Sequence, residues 1–270
     1  LQSHSDRIVL SRTLSLESFG YYSVAITVAT GIVYLMSPIS LTVLPRFTEL
    51  LAKNERPRLV QTYHLAAQLM TVMVTPVALT IALFSRELLV IWTRDARIAE
   101  RAALLLSLLV LGMFFRAMND IPYMMLLSQG RARLAVLTNL ASVAFYLPLL
   151  AFLVGRYGAL GAAVALMTLD GAKFMVWGHV MHAQLLPEEK WRWYLIDVGR
   201  PALAATVAAV VARLLIPDAF FATVPIGLSL LALVVALAAA AAIAAAPLTR
   251  GRAFGIVSRI LRRNSEGSNR

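Results

Sequence analysis

Apolar residues in this chain do not alternate with polar ones. They run almost unbroken for twenty residues or more between short polar interruptions, at roughly 20–46, 63–84, 102–127, 133–154, 158–183 and 198–247. About twenty apolar residues carry one helix across the hydrocarbon core of a bilayer. The last run is long enough for two helices, and Pro217 with Asp218 divides it into spans near 198–216 and 222–247. The pattern therefore predicts seven complete spans after a partial helix that ends near Leu14. No segment has the period-two alternation that barrel strands require. The expected fold class is an all-α integral membrane bundle. "GRAR" (130–133) and "GRYG" (155–158) are short enough to join only antiparallel neighbours, whereas 47–62, 85–101 and 184–197 read as longer polar loops.

Composition agrees with this picture. The chain is 60% hydrophobic with 14% charged residues, against roughly a quarter charged in soluble domains. Cysteine is absent, so no disulfide framework or thiolate site is available. The net charge of +11 would suggest nucleic acid in a soluble protein, but its distribution follows membrane topology. If the chain crosses at each span, about fifteen Lys and Arg residues fall on one side and seven on the other. The richer side receives Arg46, Lys53, Arg131, Lys190 and the arginines after 249; the poorer side receives Arg86, Arg94, Arg97 and Arg101. The positive-inside rule then places the C-terminal tail in the cytoplasm and the 85–101 loop outside, in the cytoplasmic (inner) membrane, with no nucleic-acid partner expected.

Six charged residues fall inside spans: Asp6, Arg7, Arg116, Asp120, Asp170 and Lys173. A charge near the bilayer centre costs about 2.5–3.5 kcal/mol on insertion scales. Arg116, Asn119, Asp120 and Tyr123 share one helix face by their i, i+3, i+4, i+7 spacing, and Asp170, Lys173 and Trp177 share another. Two readings stand side by side. Arg116 with Asp120, and Asp170 with Lys173, can pair along their own helices; or all six face a substrate or an ion. Pro38, Pro76, Pro122 and Pro148 interrupt spans and favour kinks. "EEKWRWYLIDVGRP" (188–201) reads as an interfacial segment with its aromatics in the headgroup belt, and "RAFGIVSRILRR" (252–263) as a basic amphipathic helix. His4, His64, His179 and His182 form no H-E-x-x-H, and there is neither a P-loop nor a dinucleotide fingerprint, so no metal or other cofactor is expected.

The opening residues carry a family likeness. An Asp in a helix (Asp6), Leu10-Ser11, Gly20-Tyr21-Tyr22, Ala25 and Leu44-Pro45-Arg46 follow one another in the order seen at the start of the second lobe of Wzx-type polysaccharide (O-antigen) flippases, in the MOP superfamily. "LLSQGRARL" and "GRYGALGAAVALM" resemble the later hairpin of that family, so the resemblance covers roughly residues 5–185. It implies two pseudo-symmetric six-helix lobes working by alternating access on a polyprenyl-pyrophosphate-linked oligosaccharide. On that likeness, 1–185 would be the second lobe with a truncated first helix, 186–197 an interfacial linker, 198–247 two additional spans, and 248–270 a basic cytoplasmic tail. The partners would be the lipid-linked oligosaccharide, membrane lipids and a missing N-terminal lobe of the same protein. Arg7, Arg116 and Lys173 would meet pyrophosphate or acidic sugar, with Asp6, Asp120 and Asp170 holding them or taking protons. A drug/cation antiporter, a peptidoglycan-precursor flippase and a membrane enzyme such as an O-acyltransferase are the alternatives. The largest outer loop offers no nucleophile–base pair for the enzyme reading.

Overall fold

A computed structural model describes residues 10, 14–217, 220–221 and 223–251, and the regular structure among them is entirely helical. Nine helices are named here in chain order: α1 (Leu16–Thr30), α2 (Ile32–Ala52), α3 (Arg56–Leu83), α4 (Ser85–Thr93), α5 (Ala96–Ser128), α6 (Ala132–Ala172), α7 (Gly178–Leu185), α8 (Arg200–Leu215) and α9 (Val224–Ala245). Local chemistry sets several boundaries. Ser15 caps α1 by accepting from the Ser18 amide. Asp95 caps α5 through the Arg97 and Ile98 amides, at 2.8 and 3.3 Å. Both satisfy donors that the first helical turn leaves without partners. Arg94, at φ 57°, ends α4 in the left-handed region. The helices continue through Pro38, Pro76, Pro122 and Pro148.

Among the described residues, six helical stretches are long and apolar enough to cross a bilayer: Leu16–Ala52, Arg56–Leu83, Ala96–Ser128, Arg133–Leu185, Pro187–Leu215 and Val224–Ala245. The fourth, at 53 residues, would be about 80 Å long if straight, far more than one crossing needs. It folds back on itself. Gly158 takes φ 57°, ψ −134°, outside helical space, and a Cβ on Gly161 would stand 2.0 Å from the Leu153 carbonyl oxygen. The stretch is thus two antiparallel limbs, and the seven predicted spans correspond to what is observed. A side chain at Gly158 meets open space apart from Leu14, so only the dihedral opposes it. Gly158→Ala is expected to cost about 1–3 kcal/mol, read as a lower thermal unfolding midpoint of the detergent-purified chain; an unchanged midpoint would contradict the assigned turn.

Two expectations change. The loop 85–101 is largely helical, because Leu89 and Ile91 bury themselves and stabilise α4. Within 188–201, Trp193 is fully buried, not in a headgroup belt, while Trp191 remains exposed. The amphipathic helix expected at 252–263 lies outside the described residues.

α5 is the axis of the bundle and packs against α1, α2, α3, α4 and α6. Its buried residues, among them Ala99, Leu106, Leu109, Ala117 and Ile121, sit in the main apolar core. α8 and α9 pack on each other and on the outer side of α3. Their seam is a second cluster, in which Ala205, Ala209 and Ala212 of α8 meet Val234, Ala238 and Ala242 of α9. Without a hydrophobic drive between helices in lipid, such small residues permit the close approach that dispersion needs.

Candidate functional site

Folding back at Gly158 brings three polar stripes together. The α5 face presents Arg116, Asn119, Asp120 and Tyr123; the first limb of α6 presents Thr138, Asn139 and Ser142; the second limb presents Asp170, followed by Lys173. They line one half-open cavity of about 220 Å³. Four of the six residues singled out from the sequence therefore meet in one place. Asp6 and Arg7 lie outside the described residues.

Arg116 pairs not with Asp120 along its own helix, as spacing allowed, but across to the neighbouring one. Arg116 Nη2 stands 3.0 Å from Asp170 Oδ2, and its Nε donates to Oδ2 and Oδ1 at 3.2 and 3.4 Å. This forked contact joins α5 to the second limb of α6, and such charge-assisted forks are the strong class of hydrogen bond. Asp170 is 2% exposed and Arg116 28%, so the carboxylate is sealed while the guanidinium keeps one side toward the cavity. Asp120 instead accepts a bond from the Ser40 hydroxyl of α2. Asn139 reaches the Tyr123 hydroxyl at 3.5 Å. The buried Asn119 Oδ1 has no partner among the described residues; with Lys173 also on the wall, the cavity has both donors and acceptors to offer.

A second polar cluster lies in the cleft between α3 and the segment leading into α8, and sequence reading did not find it. His64 is fully buried. Its Nδ1 bonds Asp197 and its Nε2 stands 2.7 Å from Glu189 Oε2. Each ring nitrogen of His64 thus faces a carboxylate oxygen. Gln68, one helical turn on, donates to Asp197 Oδ1 at 2.8 Å, and its carbonyl accepts from the amides of Leu248 and Thr249 at 3.0 and 3.3 Å. Nearby, the Tyr63 hydroxyl bonds His182 Nε2 at 2.7 Å, and His182 Nδ1 bonds the Gly178 carbonyl at 2.6 Å. The available signal was the spacing of His64 and Gln68, four apart on an otherwise apolar helix, and Asp197 inside the apolar run "YLIDVG". These groups fasten α8 and α9 to the rest of the bundle, together with Arg213 of α8, which reaches the buried Glu87 of α4 at 3.2 Å.

The all-helical fold agrees with what comparison with known proteins finds. A "Putative O-antigen transporter" of Shigella flexneri is 29% identical over 160 residues, which make up 59% of this chain and 37% of that protein. The match thus spans little more than a third of the relative's length. The family model MatE matches residues 3–167, a stretch that contains Arg116 and Asp120 and ends just before Asp170 and Lys173. With that match covering more than half of its length, this multi-pass membrane chain belongs to the MatE family, a transporter family of the MOP superfamily and not a family of enzymes.

Proposed function

We propose that this chain forms the cavity-bearing second half of a flippase that carries a polyprenyl-pyrophosphate-linked oligosaccharide across the cytoplasmic membrane by alternating access. The observation that carries the reading is the half-open cavity on whose wall two cations, Arg116 and Lys173, and two carboxylates, Asp120 and Asp170, stand between apolar helices. Membership of a transporter family and likeness to a protein named as an O-antigen transporter support it. Charged groups at this depth are expensive, and a cavity that admits an anionic head group gives them a use. Arg116 and Lys173 would receive the diphosphate, with Asp170 keeping the guanidinium oriented and Asp120 available to the coupling ion. Asp6 and Arg7 are proposed for the same path.

In this reading residues 1–185 are one six-helix lobe, whose cavity is completed by an N-terminal lobe of the same protein. Residues 198–247 add two spans, and the arginine-rich tail faces the cytoplasm. The test is glycan export in cells carrying the complete protein. Lys173→Ala is expected to lower export roughly 10–100-fold at unchanged protein level, the equivalent of one lost charged hydrogen bond. Arg116→Ala should abolish binding of the same head group. Unchanged export in both variants would end the proposal, and leaflet translocation of lipid-linked oligosaccharide in vesicles would separate transport from assembly.

A further inference from the structure

The segment that carries Lys173 is not an α-helix. Lys173–Trp177 form a π-helical turn between α6 and α7, and Trp193–Gly199 form a second one before α8. Such turns are rare, close i→i+5 bonds, and occur mostly at functional positions. Nothing in "GAKFMVW" demands one: it holds no proline, and its single glycine precedes the turn. A tertiary contact is available to do so. The two π-turns face each other, and the Tyr194 hydroxyl, from the second, donates to the Phe174 carbonyl at 3.0 Å and lies 3.3 Å from that of Met175. Gly178 makes this approach possible, because a Cβ there would stand 2.7 Å from the Tyr194 hydroxyl. Rings complete the contact. Phe174 packs on Trp193 and edge-on to Tyr194, both at 5.4 Å, and on its other side meets Phe115, the neighbour of Arg116, at 5.7 Å.

We propose that Tyr194 is a positioning residue for the cavity: its hydroxyl holds the carbonyls of Phe174 and Met175 and so fixes the π-turn that sets where Lys173 stands. The inference rests on the transport reading of that cavity and adds a means of regulating it. The lever is geometric. One residue of helix is about 100° of rotation, so relaxing the π-turn to α geometry turns Asp170 and Lys173 relative to the His182 end of the same span. Because Tyr194 lies on the segment that enters α8, the helices beyond the matched family region act on the cavity directly. The competing account is that ring packing around Phe174 holds the turn, in which case the hydroxyl is dispensable.

These 270 residues hold no cysteine, so once any cysteine elsewhere in the complete protein is replaced by serine, single-cysteine variants in native membranes give a clean signal. The probe is a water-soluble maleimide. With Tyr194→Phe, the labelling rate of Lys173→Cys is expected to change roughly 2–10-fold, the equivalent of one hydrogen bond, while Ser142→Cys on the facing wall keeps its rate. Equal rates with and without the hydroxyl overturn the proposal, and so does an equal change at both sites, which marks general loosening. Hydrogen exchange reads the same turn without any cysteine. Tyr194→Phe and Gly178→Ala should both speed exchange of amides 173–178 relative to those of α5, and unaltered protection in both variants overturns the proposal. Absence of labelling at position 173 in every background counts against a wet cavity, hence against the transport reading, while the exchange result still decides the role of Tyr194.

Discussion

Asp170→Ala is expected to cost the folded protein about 3–5 kcal/mol, because it leaves a guanidinium inside the bundle with its carboxylate removed. Asp170 is almost fully buried and takes two nitrogens of Arg116. Alanine supplies neither the charge nor an acceptor, and Arg116, 28% exposed, meets water on one side only. At roughly 2–4 °C per kcal/mol for a chain of this size, the unfolding midpoint in detergent should fall on the order of 10 °C. Accumulation in membranes should fall with it. Instability of this kind must be separated from loss of function, and the pair itself provides the means. Replacing a buried ion pair by apolar residues is often neutral or stabilising, so Arg116→Leu combined with Asp170→Leu should return the midpoint close to that of the native protein. Export should stay lost, because the cation is gone. A double variant as unstable as Asp170→Ala would show that the pair is not the source of the penalty.

The charged residues that face this cavity were legible in the sequence for a physical reason, whereas the uncharged Thr138, Asn139 and Ser142 of the facing limb were not. A bilayer makes each charge within a span conspicuous, so Arg116, Asp120, Asp170 and Lys173 announce themselves, and the spans announce themselves as the apolar runs between them. Partner choice was not legible. Spacing places Asp120 one turn from Arg116, but the side chain turns to Ser40 of α2 while Arg116 crosses to Asp170. Only the fold-back at Gly158 and the packing of α5 against α6 decide that, and neither is encoded in local periodicity. The π-turns were also beyond reach, since "KFMVW" and "WYLIDVG" carry no local signal for them and contacts such as that of Tyr194 form only in the assembled bundle. The segment 188–201 misled for a different reason. Charged and aromatic residues interleave there as they do at a membrane surface, yet Trp193 and Asp197 point inward and Trp191 outward. Composition cannot distinguish those directions.

Asp197→Ala is expected to release α8 and α9 from the bundle more than it disturbs the bundle itself. Asp197 is fully buried and accepts from His64 and from Gln68, both of α3 and both buried. Truncation strands two donors at once. Each unsatisfied buried group costs about 1–3 kcal/mol, and His64 is left with Glu189 as its remaining carboxylate partner. The loss should total about 3–5 kcal/mol, the range for breaking a buried charged pair, but it falls on a boundary. What remains across that boundary is the contact of the second apolar cluster with Val72, Phe84 and Ile91, the Arg213–Glu87 pair, and Trp193 and Val198 against the main core; His64, Gln68, Glu189 and Asp197 themselves are no part of that core. Exchange protection should therefore drop in 187–215 and around Leu248 and Thr249, with α5 protected as before. Gln68→Ala should produce the same map, since it removes both the Asp197 bond and the acceptor for those two amides. Asp197→Asn is the informative control: it keeps one acceptor oxygen for His64 but removes the charge, and should fall between the native chain and the alanine variant. A uniform loss of protection through α5 would refute a localised junction. Apolar contact alone gives helices in lipid little preference for one neighbour over another, whereas a fully satisfied buried network is costly to break in any other arrangement. That asymmetry fixes where the two helices dock, and so fixes the approach of Tyr194 to the turn that carries Lys173.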